Sequence, residues 1–213
     1  LFRSNEQKAL KNLKKRYATW KTMFKRDTGK KVSPEVLQGL FGELYFLKKY
    51  MLEKYGPTTA IQAWSGPDAR SKDYAVGTEW YEIKTVGANS PNVRISSLAQ
   101  LSSEHDGHLV VIRAERMSDQ FDNGEACVHD LFKYILTVLN NETLEGIFLS
   151  KLSAFGYDIS DESYTAKFDV KSMTSYKVSD GFPRITEQDI QRVEICEVGY
   201  SLIINALKPY LED

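Results

Sequence analysis

The amino-terminal part of the chain shows the apolar periodicity of an α-helix. Within residues 5–26, five apolar residues recur at spacings of three and four: Leu10, Leu13, Tyr17, Trp20 and Phe24. This spacing puts all five on one stripe, while lysines fill the other faces. The pattern predicts a basic amphipathic helix, followed by a polar linker at residues 27–31.

A second helix is predicted from Ser33 to the dipeptide Gly56-Pro57. Ser33 is a favoured N-cap residue, and Pro34 suits the first helical position. A Gly-Pro pair is a typical helix end. The apolar face of this helix comprises Val36, Leu40, Leu47, Tyr50 and Met51. Such a face indicates a helix packed on a core.

Glu43 lies inside this apolar face. At ~100° per residue it falls between Leu40 and Leu47. Gly39 and Gly42 lie to one side, where another backbone can come close. A carboxylate that is buried alone is costly, so we expect Glu43 to be paired or to help bind a metal ion. The alternative is a glutamate at the rim of the face, reaching water or pairing with a lysine or arginine.

Short strands follow the second helix. Four candidates are separated by Gly, Pro, Asn and Ser residues: AIQAW (60–64), KDYAV (72–76), EWYEIKTV (79–86) and NVRIS (92–96). The segment SSLAQL, capped by Ser96 or Ser97, is predicted to be a short helix, and HLVVIRA a buried strand. This alternation of helices and strands favours an α/β fold.

The remainder of the chain combines two helices with a β-rich tail. Residues 127–140 and 142–154 have the pattern of amphipathic helices. Three later segments alternate like strands of an antiparallel sheet: SYTAKFDV, SMTSYKVS and VEICEVGYSLII. The alternation slips between Ile195 and Val198, which predicts a bulge. The tail is expected to be a specificity element, a dimer element or an extension of the sheet.

The segment SKDYAVGTEWYEIKTVG, residues 71–87, carries the main chemical signal. If Gly77-Thr78 is a two-residue hairpin loop, Val76 pairs with Glu79.

The same register places Asp73 opposite Glu82, with Lys84 on the same face because side chains alternate with period two. Like charges placed opposite each other destabilise a sheet, whereas a divalent cation between them would make a site. The alternative is an exposed, charged hairpin. Asp68, in Pro67-Asp68, is a competing acid, but it does not fall opposite Glu82.

Composition and charge narrow the class of protein. A chain of 213 residues suits one domain, and no apolar run approaches the ~18 residues of a membrane span, so we expect no membrane partner. The isolated Cys127 and Cys196 argue against structural zinc, and with no secretory signal visible they fit a cytoplasmic location. Residues 1–31 contain eleven Lys/Arg and two Asp/Glu, against seventeen and twenty-seven in the rest. This asymmetry indicates either a polyanionic partner or a solvated helix face.

Other residues are weaker candidates. Three histidines lack metal-binding spacing: His105, His108 and His129. Of these, His105 is expected in a surface loop or near the site. Arg94 is placed to contact a phosphate or solvent. Trp64 and Trp80 could stack on bases; Trp64 fits a packing role better, and Trp80 shares the Glu82 face.

These residues together resemble the PD-(D/E)xK superfamily of nucleases, the restriction-endonuclease-like fold. In that fold an acid on the first helix, an acid on the second core strand and an E-x-K on the third gather around Mg²⁺. The matching residues here are Glu43, Asp73 and Glu82-Ile83-Lys84, within residues 33–115. Lys72 replaces the proline of the superfamily's name. The GLFGELYFL helix followed by WSGP is similar to a group of bacterial proteins assigned to this superfamily and often found near restriction and phage-defence genes.

The resemblance implies a fold and a chemistry. The fold would be a mixed β-sheet flanked by helices at residues 32–160, with a β-rich extension at 161–213 and the basic helix at 1–31. The activity would be Mg²⁺-dependent hydrolysis of DNA, with Mn²⁺ able to substitute. Asp73, Glu82, Glu43 and the Ile83 carbonyl would hold metal.

The remaining roles are also implied by the resemblance. Lys84 would activate water, and Gln100 on the next helix would support the site. We expect DNA as partner, and a homodimer or a place in a larger defence complex. Two alternatives stay open: a catalytically silent subunit that binds nucleic acid or serves in assembly, and a hydrolase of another phosphate ester.

Overall fold

A mixed four-stranded sheet forms the centre of the fold. The computed structural model describes residues 32–66, 72–139, 141–157, 166–190, 192 and 194–212. The sheet contains strands β1 (Tyr74–Val76), β2 (Glu79–Gly87), β4 (Gly107–Met117) and β5 (Lys167–Val178), in the order β1-β2-β4-β5. The β2–β4 pair is parallel, while β1–β2 and β4–β5 are antiparallel. A separate antiparallel pair joins β3 (Asn92–Ile95) to β6 (Tyr200–Ile203). The predicted mixed sheet of an α/β fold is confirmed.

Helices cover one face of this sheet. They are α1 (Pro34–Phe46), a π-helical segment (Leu47–Met51), α2 (Leu52–Ala63), α3 (Val128–Val138) and α4 (Glu142–Ala154). Short 3₁₀ segments are Leu98–Gln100, Glu187–Asp189 and Ile204–Tyr210. The Ser33 N-cap is confirmed, since its Oγ accepts the Val36 N–H at 3.3 Å. The predicted helix at residues 5–26 lies outside the described residues.

The second predicted helix ends at Gly56-Pro57, as its sequence predicts, but the chain does not go on into a strand. Gly56 leaves the helical conformation with φ of 74°, but Pro57 starts a new helical stretch that runs to Ala63. The predicted strand AIQAW is therefore wrong, and its remnant is an isolated bridge between Trp64 and Tyr74. The physical reason is packing, because Ile61 and Trp64, three residues apart, are both fully buried against the core.

The two faces of the sheet pack against different apolar clusters. Tyr81 and Ile83 of β2 point into the larger cluster, which includes the buried faces of α1, α3 and α4. Trp80 of the same strand points into a smaller cluster with Leu109 of β4 and Leu202 of β6. This alternation is the period-two pattern of a strand that is buried on both sides. On α1, Leu40 is fully buried as predicted, whereas Val36 is exposed.

The β-rich tail is built into the sheet. SYTAKFDV and SMTSYKVS contribute to one long strand, β5, which pairs with β4 and is interrupted by an irregularity at Arg113/Ala114. The predicted bulge between Ile195 and Val198 is wrong, because residues 195–199 form no strand. Only the end of that segment becomes β6, where it completes the pair with β3.

Within the described part of the chain, no helix has both the length and the apolar character needed to cross a bilayer.

Gly42 fixes the distance between α1 and β2, and a substitution there tests this contact. A Cβ added at Gly42 would overlap Thr85 Oγ1, and threonine is stiff at χ1, so the helix rather than the side chain must move. We expect Gly42→Ala to lower the free energy of unfolding by about 1–3 kcal/mol, measured by urea denaturation.

The matched control is Gly39→Ala on the same helix, where an added Cβ meets no atom within 4 Å. That variant should be neutral, or more stable by roughly 0.5–1 kcal/mol through helix propensity. Adding Thr85→Ala to Gly42→Ala should recover most of the loss. Equal stability of the two alanine variants would contradict the close approach.

Candidate active site

The β1–β2 hairpin has the register expected from its sequence. Val76 pairs with Glu79 and Tyr74 with Tyr81 around the turn at Gly77, whose φ of 60° suits its place in the turn. Asp73 lies immediately before β1, and its Oδ2 accepts the Ile83 N–H at 2.7 Å. The Asp73 carboxylate is thus fixed against the middle of β2, one residue from Glu82.

Glu82 is a buried carboxylate next to a lysine. Its side chain is only 2% exposed, and its Oε1 lies 2.8 Å from Lys84 Nζ. Lys84 itself keeps 17% of its side-chain surface exposed. The expected shared face of these two residues is confirmed, and the pair opens to solvent on the lysine side.

Glu43 reaches this neighbourhood from α1. It is buried, at 9% exposed, as its place on the apolar face predicts. Its Oε2 accepts the Trp64 indole N–H at 2.6 Å, and its backbone carbonyl accepts the Tyr74 hydroxyl at 2.9 Å. Trp64, at the end of α2, therefore orients the carboxylate. Glu43 is paired, as expected, but its partner is an indole and not a lysine or arginine.

The three carboxylates act on one another electrostatically. Burial, followed by the charge of Asp73, raises the pKa of Glu43 well above its ordinary value. The same two causes raise the pKa of Glu82 to about 8. Burial also raises the pKa of Asp73, partly offset by the Ile83 N–H and by Lys84. Raised pKa values in a group of buried acids are typical of functional sites.

The chemistry of these donors fits a hard divalent cation. The buried Glu43 and Glu82 and the partly buried Asp73 supply oxygen ligands, and their mutual repulsion is what a bound cation relieves. As they stand, however, no three acidic, histidine or cysteine side chains of the described residues are grouped to hold a metal ion. Each carboxylate faces a protein donor instead: Trp64, Ile83 or Lys84.

Lys72 is a site residue that the sequence patterns missed. Its Nζ donates to the carbonyl oxygens of Ala99 and Gln100 at 2.7 Å and of Ser102 at 3.0 Å. Burial lowers its pKa to about 8, against the opposing charge of Glu82. The one available signal was its position, since it stands where the superfamily has proline.

Gln100 is near the site in a different role from the one predicted. It ends a 3₁₀ turn rather than an α-helix, because SSLAQL forms only residues 98–100 as helix. Its side-chain oxygen accepts the Ser96 N–H at 2.7 Å, so it closes its own turn. Its backbone carbonyl, not its amide side chain, meets Lys72.

Several weaker candidates lie elsewhere. Trp64 and Trp80 are buried at 0% and 4% exposure, so neither ring is available for stacking on bases. His105 is in an exposed loop, and Arg94 points outward from β3. His108 lies between Glu79 and Glu212. Asp68, the competing acid, is outside the described residues.

A mixed sheet flanked by helices, with acids brought together from α1 and the β1–β2 hairpin, defines a PD-(D/E)xK nuclease-like fold. A family model described as "Putative PD-(D/E)XK family member, (DUF4420)" matches residues 2–205, and the chain belongs to this family. No match was found among curated proteins or among solved structures. Membership extends the resemblance, drawn from residues 33–115, over nearly the whole chain.

Proposed function

We propose that this protein is a Mg²⁺-dependent endonuclease that hydrolyses DNA phosphodiester bonds. The observation that carries the proposal is the electrostatic interaction of the buried Glu43 and Glu82 with each other and with Asp73, beside the partly exposed amine of Lys84. A buried carboxylate is costly to a fold unless it is paired, hydrogen-bonded or bound to a metal ion. Family membership supports the same chemistry, since the superfamily's signature is this set of acids and lysine.

Each acid has a proposed role in binding the cation. Asp73 and Glu82 would hold it, and Glu43 would bind a second ion or orient water around the first. Ile83 N–H faces Asp73, and the N–H and C=O of one strand residue point towards the same neighbour, which favours the Ile83 carbonyl as a further ligand. When bound, the cation supplies positive charge that offsets the phosphate and activates water.

Lys84 is proposed to orient the attacking water or to stabilise charge on the phosphate. Its amine is within 2.8 Å of Glu82 and remains partly accessible to solvent. An amine in this place stays close to the carboxylates while a substrate approaches from the open side. Positioned groups of this kind typically contribute 10²–10⁴-fold to a reaction rate.

The substrate and the assembly are inferred from charge and geometry. The chain has a formal net charge of −1, so DNA would be bound by local patches, above all the eleven basic residues at 1–31. Cleavage of both strands favours a homodimer or a subunit of a larger complex. We propose a role in restriction or phage defence, on the resemblance of the GLFGELYFL helix to proteins found in that setting.

A specific observation favours a second candidate, a catalytically silent subunit that binds nucleic acid or serves in assembly. Each of the three carboxylates already accepts a hydrogen bond or ion pair from a protein group. A set of acids satisfied in this way can persist as a structural element. Retention of the complete set of two hairpin acids and lysine favours the enzyme.

Cleavage of plasmid DNA tests the proposal. We expect the wild-type protein to nick or linearise plasmid with Mg²⁺ or Mn²⁺ and to be inactive with EDTA. Asp73→Ala should abolish cleavage, and Lys84→Ala should lower it by about 10²–10⁴-fold. The matched control is Lys171→Ala, which removes a lysine that pairs with Asp169 at 2.7 Å, elsewhere on the sheet.

The outcomes separate the two candidates. Cleavage by wild type and Lys171→Ala alone supports the nuclease. Equal cleavage by all four proteins would point to a contaminant and overturn the proposed residues. If none of them cleaves but the wild type binds DNA, the silent subunit is the correct function.

A further inference from the structure

Lys72 donates to three backbone carbonyl groups of one turn. A lysine ammonium has three N–H donors, and here three carbonyl oxygens lie within 3.0 Å of Nζ, those of Ala99, Gln100 and Ser102. The amine also lies 4.0 Å from the centroid of the Trp80 ring. With its donors all occupied, Lys72 is not placed to exchange a proton with a substrate. Its contacts are those of a structural clamp.

The clamp holds residues 98–102, which we call the carbonyl turn. Arg184, which follows the turn in sequence whereas Lys72 precedes it, binds the same turn. Its Nη1 donates to the Leu101 carbonyl at 2.9 Å. Two cations therefore bind four consecutive carbonyls, at residues 99–102. The charge of Arg184 lowers the pKa of Lys72, while the charges of Glu82 and Asp73 oppose this effect.

The clamp is connected directly to the candidate active site. Lys72 precedes Asp73, whose backbone carbonyl accepts the Ser65 N–H at 2.8 Å and whose carboxylate accepts the Ile83 N–H. Below the clamp, Trp80 is held by its own indole N–H, which donates to the His105 carbonyl at 2.9 Å. Asp73 is thus anchored at three points, of which Lys72 is the one that reaches the carbonyl turn.

We propose that Lys72, assisted by Arg184, is a positioning residue that fixes Asp73 for binding of the divalent cation by clamping the carbonyl turn to the start of β1. The inference rests on the proposed function, because it assigns Asp73 as a ligand. It adds a residue that replaces the proline of the superfamily's motif, and it makes the segment around Arg184 part of the support of the site.

A role of Lys72 as a nearby charge and a role as a positioning residue predict opposite changes in cation affinity when Lys72 is replaced. If Lys72 were only a nearby positive charge, Lys72→Met would tighten binding of a cation, because a like charge has been removed. If it positions Asp73, the same change weakens binding, since loss of a group that orients a ligand typically costs 10–100-fold in metal affinity. The sign of the change therefore distinguishes the two roles without reference to activity.

Isothermal titration with Mn²⁺ measures this sign. We expect Lys72→Met to raise the Kd for Mn²⁺ by roughly tenfold or more, and Lys72→Arg, which keeps charge and donors, to recover part of the loss. Arg184→Met, which removes one bond, should give a smaller increase. The matched control is Lys167→Met, because Lys167 donates to the Phe121 carbonyl at 2.6 Å elsewhere in the fold and should leave the Kd unchanged.

Each outcome decides a different question. A wild-type protein that neither binds Mn²⁺ nor cleaves DNA overturns the proposed function. A wild type that does both, with Lys72→Met folded by circular dichroism and binding equally or more tightly, overturns only the role of Lys72. If Lys72→Met does not fold, Arg184→Met carries the test, and an unchanged Kd in that variant overturns the clamp.

Discussion

Glu82→Gln is expected to lower DNA cleavage at least about a thousandfold and to remove measurable Mn²⁺ binding. Glu82 is 2% exposed, and burial together with the charge of Asp73 raises its pKa to about 8. Glutamine keeps the shape but removes the negative charge that a divalent cation requires. Loss of a ligand that contributes about 4 kcal/mol to the transition state corresponds to a thousandfold in rate.

The same strand provides a matched control in Glu79→Gln. Glu79 also pairs with a lysine at 2.8 Å, Lys54, but its side chain is 34% exposed. Burial alone would raise the pKa of Glu79, but hydrogen bonds from Lys54, Tyr55 and Tyr81 lower this pKa to about 2. The pKa values of these two glutamates, three residues apart, are therefore shifted in opposite directions. Only Glu82 belongs to the group of repelling acids.

Steady-state cleavage of plasmid by the two variants, with titration of Mn²⁺, checks the prediction. Glu79→Gln should retain wild-type cleavage and Mn²⁺ affinity within about threefold, because the exposed pair is not a ligand. Equal loss in both variants would show that the effect comes from the stability of the strand. Full activity of Glu82→Gln would exclude Glu82 as a metal ligand.

Glu43→Gln is expected to make the metal-free protein more stable while removing its stabilisation by cations. Glutamine keeps an oxygen that can accept the Trp64 indole N–H but carries no charge to be repelled by Asp73 and Glu82. We expect a gain of about 1–2 kcal/mol in the free energy of unfolding in EDTA, of the size seen when function has been favoured over stability.

The pH dependence of this gain has a definite sign. Burial raises the pKa of Glu43 in the folded protein, so the folded state binds more protons than the unfolded chain. The stability that this provides is present at low pH and is lost as pH rises above the ordinary value of 4.5. The advantage of Glu43→Gln over wild type should therefore be larger at pH 8.5 than at pH 5.

Urea denaturation with and without Mn²⁺ checks both statements. Wild type should gain about 2.7 kcal/mol at a hundredfold excess of Mn²⁺ over its Kd, whereas Glu43→Gln should gain clearly less. A variant that is less stable than wild type in EDTA, or that keeps the whole increment, would contradict the assignment of Glu43. Glu53→Gln on α2, an exposed glutamate, is the control and should change neither value.

Local patterns determined the parts of the site that depend on periodicity and turn geometry. The two-residue loop at Gly77 set the β1–β2 register and hence the place of Asp73 beside the E-x-K of β2. Helical periodicity placed Glu43 on a buried face. These inferences succeed because backbone geometry repeats over a few residues and needs no knowledge of distant segments.

Only the tertiary structure decided which groups these residues meet. Gly56-Pro57 ends one helix as its local signs predict, yet packing of Ile61 and Trp64 makes the next residues a second helix instead of a strand, and this brings the Trp64 indole to Glu43. Lys72 finds its carbonyl partners 27 to 30 residues further along the chain.

The sequence by itself therefore determined the identity and the local order of the acids and the lysine. The tertiary structure decided their burial, their partners and the opposite pKa shifts of Glu79 and Glu82. The reason is that desolvation and charge interactions depend on distances between elements far apart in sequence, which no local pattern encodes.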